Sequence, residues 1–158
     1  MPDHRFSKSD RITCPGSPHG FRRLPYADGR FDVVVFDPPY EHHADTMRIE
    51  PSYNNSDISP KLRHREILDL YRLGMGEAKR ILKQGGTLWM KCADEVENCR
   101  QRRGHVEVFQ IAVDLGLQDE DLFILMQEGR PVTSRHEQRH ARKNCSFLWV
   151  FRKPSRPK

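Results

Sequence analysis

The run Phe31-Asp32-Val33-Val34-Val35-Phe36-Asp37-Pro38-Pro39-Tyr40 constrains this chain more than any other stretch. Its β-branched and aromatic residues, Phe31 to Phe36, predict a central strand of a parallel sheet, covered on both faces. Two prolines then stop it. Neither Pro38 nor Pro39 has an N–H for a neighbouring strand, and each fixes its own φ, so the chain must leave the sheet in a stiff turn. The Asp37 carboxylate, the Pro38 carbonyl and the Tyr40 ring are thereby expected at the carboxyl edge of the sheet, where open α/β folds bind ligands.

An acid, a rigid carbonyl and an aromatic ring suit one chemistry, the alkylation of an amino group on an aromatic base. The lone pair of such an amine is delocalised into the ring, which makes it a poor nucleophile. Hydrogen bonds from its two N–H groups to Asp37 and to the Pro38 carbonyl would favour pyramidal geometry and localise the lone pair, while Tyr40 could stack on an extruded base. The bland alternative is an ordinary strand followed by a Pro-Pro turn; the preceding strand and the polar loop that follows weigh against it.

At Asp37-Pro38-Pro39-Tyr40 the sequence resembles the phage and bacterial amino DNA methyltransferases (N6-adenine or N4-cytosine), which use S-adenosylmethionine and carry Asp-Pro-Pro-Tyr or a close variant. The resemblance implies catalytic roles for Asp37, Pro38, Pro39 and Tyr40, and cofactor contact at Asp37 as well. It extends along the chain. Leu24 to Asp32 looks like the acidic turn before the fourth strand of that fold, Ile81 to Trp89 like its helix-to-fifth-strand passage, and His140 to Phe151 like its final strand region.

Periodicity places the intervening elements. Leu62 to Lys83 predicts a helix, with Ile67, Tyr71, Met75, Ala78 and Leu82 on one stripe. Gly85-Gly86 is read as its stop and Thr87 to Cys92 as the next strand. Val106 to Leu115 fits either alternation or a helical stripe; helix is chosen because a right-handed crossover between parallel strands needs one, and Gly116 would end it. Asp121 to Gln127 and Ser146 to Lys153 complete the strands, the latter with Phe147, Trp149 and Phe151 on one face and Leu148 and Val150 on the other. Trp89 and Trp149 are assigned to the core. The expected fold is therefore α/β, the carboxyl half of a Rossmann-like methyltransferase fold: strands four to seven with intervening helices, the last strand antiparallel.

The amino-proximal half of that fold, with a Gly-containing loop for the methionine part of the cofactor and an acid for its ribose, has no counterpart on either side of the motif. None of the ten glycines forms a Gly-x-Gly turn just after a strand. Gly74-Met75-Gly76 lies inside the helical stripe and reads as a close packing point. Residues 1–23, rich in Pro and Gly and poor in apolar residues, read as a flexible lead-in, 24–153 as the methyltransferase-like domain and 154–158 as a basic tail. The isolated chain is thus expected to bind S-adenosylmethionine weakly or not at all, and a second chain or a homodimer is a candidate to complete the cofactor site.

At 158 residues the chain can bury one core. No apolar run approaches the roughly 20 residues that span a bilayer, so a cytoplasmic protein with no membrane partner is expected. Cys14, Cys92, Cys99 and Cys145 are widely spaced and read as free thiols. The formal charge is only +5, but from Met126 onward nine Lys and Arg residues face two Glu, a local +7. Arg130, Arg135, Arg139, Arg142 and Lys143 fall in the loop between the last two strands, where they could neutralise a DNA backbone; a solvated charged loop is the alternative. Tyr53, in the long polar loop after the motif, is a further candidate to stack on a base. His42 and His43 in that loop could line the base pocket or contact phosphate, but in so polar a run they are read as solvated.

His136-Glu137-Gln138-Arg139-His140 also matches the His-Glu-x-x-His pattern of zinc peptidases. No His, Asp or Glu follows His140 as a third ligand, Arg135, Arg139, Arg142 and Lys143 oppose a divalent cation, and no apolar stripe supports a helix there. No metal is expected. What remains is a DNA methyltransferase-like protein, in which the resemblance implies adenine N6 ahead of cytosine N4, the acid form of the motif being more typical of the former in that family; the alternative is an inactive or accessory nucleic-acid-binding module without the cofactor half.

Overall fold

The computed structural model describes residues 21, 23–38, 63–126, 128 and 144–155. In chain order the elements are β1 (Phe31–Phe36), α1 (His64–Ile81), β2 (Leu82–Cys92), β3 (Glu95–Glu97), β4 (Arg100–Arg102), α2 (Gly104–Asp114), β5 (Gln118–Met126) and β6 (Cys145–Arg152). Four strands form one sheet in the order β1-β2-β6-β5, and β3 and β4 form a separate hairpin. β1 and β2 run parallel, whereas β6 is antiparallel to both of its neighbours, β2 and β5. This is the expected α/β arrangement, with its antiparallel last strand inserted between the two before it.

The helical stripe of α1 holds. Ile67, Tyr71, Met75 and Ala78 are buried and pack with Val108, Ile111 and Ala112 of α2 against Leu88, Met90 and Cys92 of β2 and Phe147 and Phe151 of β6. Both helices therefore cover the same face of the sheet. The opposite face carries Val33, Val35, Trp89, Phe123 and Leu125, which are 39–65% exposed. The expectation that β1 is covered on both faces is met on one only by the described residues, and Trp89, assigned to the core, stands on the open face opposite Val35.

The helix boundary is also corrected. α1 ends at Ile81, Leu82 is already extended, and Gly85-Gly86 lies inside β2. Pairing jumps from Phe31–Leu82 to Val33–Thr87, so β2 carries three extra residues in a bulge. Gly85 has φ +76°, a left-handed value that costs glycine little, and a Cβ on Gly86 would stand 2.9 Å from the Asp32 carbonyl oxygen. The two glycines thus bend a strand instead of stopping a helix. The β3–β4 hairpin was not expected at all; three-residue strands with Val96 as their one apolar residue leave no apolar pattern to read.

Two devices hold β1 in place. Gly74 on α1 forms a notch for the Phe36 ring: a Cβ there would lie 2.4 Å from Phe36 Cζ and 2.9 Å from Phe21 Cδ2. The glycine pair in α1 is indeed a close packing point, at Gly74. At the other end Glu77 and Arg80 grip the segment leading into the strand: Leu24 N–H donates to Glu77 Oε1 at 2.7 Å, and Arg80 donates to the Tyr26 carbonyl at 2.8 Å and to the Asp28 carboxylate. The Arg80 hydrogen bond holds the Glu77 carboxyl below its ordinary value of 4.5, and pairing with Glu77 and Asp28 raises the Arg80 guanidinium.

Gly74→Ala should destabilise the fold by about 1–3 kcal/mol, because the ring has packed neighbours on both sides and cannot retreat freely; chemical denaturation measures it. Because Glu77 titrates lower when folded than when unfolded, its contribution is complete above pH 4.5 and is lost as pH falls through the depressed folded value. Acid titration of stability should therefore show a decline below about pH 4.5 that is smaller in Glu77→Gln.

Candidate active site

The last residue pairs of β1 and β2 fix the geometry of the site. Val35 faces Trp89 and Phe36 faces Met90 across the parallel ladder, so the next residues on each strand, Asp37 and Lys91, stand side by side as the strands reach the carboxyl edge. Lys91 Nζ donates to Asp37 Oδ2 at 3.1 Å, the two side chains being 29% and 45% exposed. The pair is open to solvent, and such pairs contribute about 1 kcal/mol or less to stability. Pro38 is buried behind the carboxylate.

Chemically, the edge presents one carboxylate with one oxygen engaged by an ammonium and the other available to accept, next to a proline whose φ is fixed. A carboxylate so placed can take an N–H from an incoming amine. Lys91 was not recognised in the sequence. The signal existed: a lone cation in the apolar strand Leu88 to Cys92, at the residue a parallel register brings beside the acid.

Asp37 and Pro38 thus lie where expected, at the end of a strand on the sheet's carboxyl edge. Pro39, Tyr40 and Tyr53, and Arg130, Arg135, Arg139, Arg142 and Lys143, lie outside the described residues, as do His42, His43 and the His136–His140 motif. The strands that bracket the basic loop, β5 and β6, do belong to the same sheet as Asp37.

The same edge carries a second group of charges. Two residues beyond β2, Asp94 accepts from the His105 backbone N–H at 3.3 Å and from its ring Nδ1 at 2.5 Å, anchoring the start of α2. The His105 ring stacks on Phe147 at 4.2 Å, and its carbonyl accepts from Trp149 Nε1 at 2.9 Å, so Trp149 is a packing residue as expected. His64, the first residue of α1, is buried between Glu95 at Nδ1 and Glu107 at Nε2, the latter at 2.6 Å. Its backbone N–H donates to Glu97 at 2.9 Å. One imidazole thereby ties α1, the hairpin and α2 together. Cys92, beneath this cluster, is inert as a thiol: burial, reinforced by the charge of Asp94, pushes its pKa up to about 12.

The architecture is shared with solved methyltransferases. The PvuII cytosine-N4-specific DNA methyltransferase superposes with a TM-score of 0.56 and 13% identity over 85% of this chain and 46% of that one. A Thermus thermophilus protein designated a DNA modification methylase, crystallised with S-adenosyl-L-methionine, gives 0.55 and 16% over 85% and 52%. An S-adenosylmethionine-dependent methyltransferase from Methanosarcina mazei gives 0.51 and 12% over 86% and 65%. The chain thus has the methyltransferase-like α/β fold and spans about half the length of the two DNA methylases. Neither a family model nor a curated protein matches the sequence. No helix among the described residues is long and apolar enough to cross a membrane.

Proposed function

We propose that this chain carries the amine-handling part of an S-adenosylmethionine-dependent DNA methyltransferase acting on an exocyclic amino nitrogen, adenine N6 ahead of cytosine N4. The observation that carries the reading is the Asp37 carboxylate at the open carboxyl end of β1, followed by Pro38, on a methyltransferase-like sheet. The target base, turned out of its duplex, offers two N–H groups. One donates to Asp37 and the other to the Pro38 carbonyl, and holding both drives the nitrogen from planar toward pyramidal, which returns its lone pair. Lys91, donating to Oδ2 at 3.1 Å, orients the carboxylate. Tyr40 stacks on the base, and Tyr53 and the Arg130–Lys143 loop meet the strand around it.

The described residues do not by themselves fit the whole cofactor. Asp37 is a polar anchor at this edge, but among the described residues no glycine directly follows β1 or β2, and β1 stands at the edge of the sheet. A complementing α/β unit pairing alongside β1, in the same polypeptide or in another copy or chain, would supply the remaining anchors and cover Val33, Val35 and Trp89. The same open edge favours a second reading, in which the chain serves as an accessory nucleic-acid-binding module without turnover of its own.

Titration calorimetry of this chain alone should show S-adenosylmethionine binding no tighter than about millimolar, since a ligand of this size needs a largely preformed pocket. Micromolar affinity would mean that the chain, or a dimer of it, completes the site.

With the complementing unit present, Asp37→Ala should abolish transfer of labelled methyl to duplex DNA with little change in DNA affinity. Tyr40→Ala should lose about 1–3 kcal/mol of base stacking, and Tyr40→Phe should be milder. Nucleoside analysis of the product decides between N6-methyladenine and N4-methylcytosine. An Asp37→Ala protein with near-normal turnover would overturn the catalytic assignment; complemented protein that binds DNA without any transfer would favour the accessory module.

A further inference from the structure

Beside the candidate active site, a cleft of about 910 Å³ opens between the start of α1, the β3–β4 hairpin and the start of α2, with Arg63, Arg65 and Arg102 among its lining residues. The charges around it are sorted by depth. The acids are engaged, and all but Glu107, whose side chain is 36% exposed, point inward: Glu95 and Glu107 by His64, Glu97 by Arg102 at 2.7 Å and by the His64 N–H, Asp94 by His105. The Asp94, Glu95 and Glu97 side chains are only 0–16% exposed. The arginines point outward. Arg63, Arg65, Arg100 and Arg103 are exposed, and among the described residues none has a carboxylate partner for its guanidinium. Glu66 is the exposed acid among them, and its carboxylate accepts from the Arg63 backbone N–H at 2.6 Å.

The hairpin that carries Arg100 is closed and braced. Asn98 and Cys99 both have positive φ, +50° and +59°, so the two strands are closed by a tight two-residue turn, and its register pairs Glu97 with Arg100 and Glu95 with Arg102. Glu97 in turn binds Arg102 and the His64 N–H, which fastens the hairpin to α1. The arginines therefore project from a braced surface that follows directly on the end of β2, on the same edge as Asp37. Planar guanidinium groups without carboxylate partners match phosphate oxygens, which they bind bidentately.

We propose that Arg63 and Arg65 at the start of α1, with Arg100 and Arg103 of the hairpin region, form a phosphate-backbone contact for duplex DNA beside the site of Asp37, in addition to whatever Arg130, Arg135, Arg139, Arg142 and Lys143 supply. This rests on the reading of the chain as a DNA methyltransferase component. The contact carries no base information; it fixes where the duplex lies relative to Asp37.

The test uses the full chain and a short duplex of mixed sequence, with affinity measured against salt concentration. In Arg65→Gln/Arg100→Gln/Arg103→Gln the slope of log affinity against log salt should shrink by about 2–3, close to one per lost phosphate contact. The melting temperature should hold, because among the described residues these side chains make no hydrogen bond or ion pair. As an independent readout, Cys99 at the exposed tip of the hairpin should be alkylated several-fold more slowly when duplex is bound, with peptide mapping to separate it from the other thiols. A wild-type chain that binds DNA, with an unchanged slope in the triple variant and unprotected Cys99, would overturn this contact and leave the DNA reading standing. A wild-type chain that binds no duplex at low salt would overturn both.

Discussion

The Phe36 ring in the Gly74 notch is the contact on which the site depends. Asp37 follows Phe36 directly, so wherever that ring is held, the carboxylate is held one residue further on. The notch fixes the distance between α1 and β1; the ladder from Val33–Thr87 to Phe36–Met90 fixes the position of β1 along β2. Together they leave Asp37 nowhere to stand except beside Lys91. A helix packing point and a strand register, neither of them chemical, thus determine which groups meet at the sheet edge.

The bulge at the other end of β2 serves the same placement. Three extra residues between Leu82 and Thr87 let β2 leave the end of α1 without an intervening loop, and the tight approach of Gly86 to the Asp32 carbonyl requires that no side chain stand there. Arg152 and Lys153 of the β6 end then close over the bulge, donating to the Gly85, Lys79 and Leu82 carbonyls at 2.6–2.7 Å. The amino end of the sheet is therefore tightly hydrogen-bonded across the bulge, whereas the carboxyl end is where Asp37 and Lys91 stand open to solvent. That polarity agrees with open α/β folds generally, in which the strand ends facing ligand are decorated by loops.

What could be read from the sequence follows from how strongly each element declares a period. β1, α1 and β6 were legible because their apolar residues alternate or recur every third and fourth position, and the Phe147/Trp149/Phe151 face is the one that packs on the helices. Gly85-Gly86 misled because a glycine pair after a helical stripe fits a helix stop as well as a strand bulge, and only the neighbouring Asp32 backbone distinguishes them. The hairpin was invisible for a different reason: Glu95 and Glu97 fasten it by hydrogen bonds to His64, far earlier in the chain, and long-range polar pairing leaves no local pattern. Lys91 fell between these cases, recognisable once the register between two parallel strands is known.

β1, written Phe-Asp-Val-Val-Val-Phe, has the composition of a strand buried on both faces and flanked on both edges. Among the described residues it has one neighbour and one covered face, with Val35 65% exposed on the other. An uncharged apolar edge of this kind is a liability in a free-standing domain, normally blunted by lysines, prolines or a bulge. Here only Asp32 interrupts it, and its carboxylate is held by Lys83 on the next strand. Trp89 extends the same bare surface onto β2, so the exposed patch is continuous with the exposed edge. An edge and a face open at the same strand ask for a covering layer that both adds a strand and packs on the sheet. In the reading proposed above, that layer is also what brings the cofactor to Asp37, which makes covering the strand and completing the site one event.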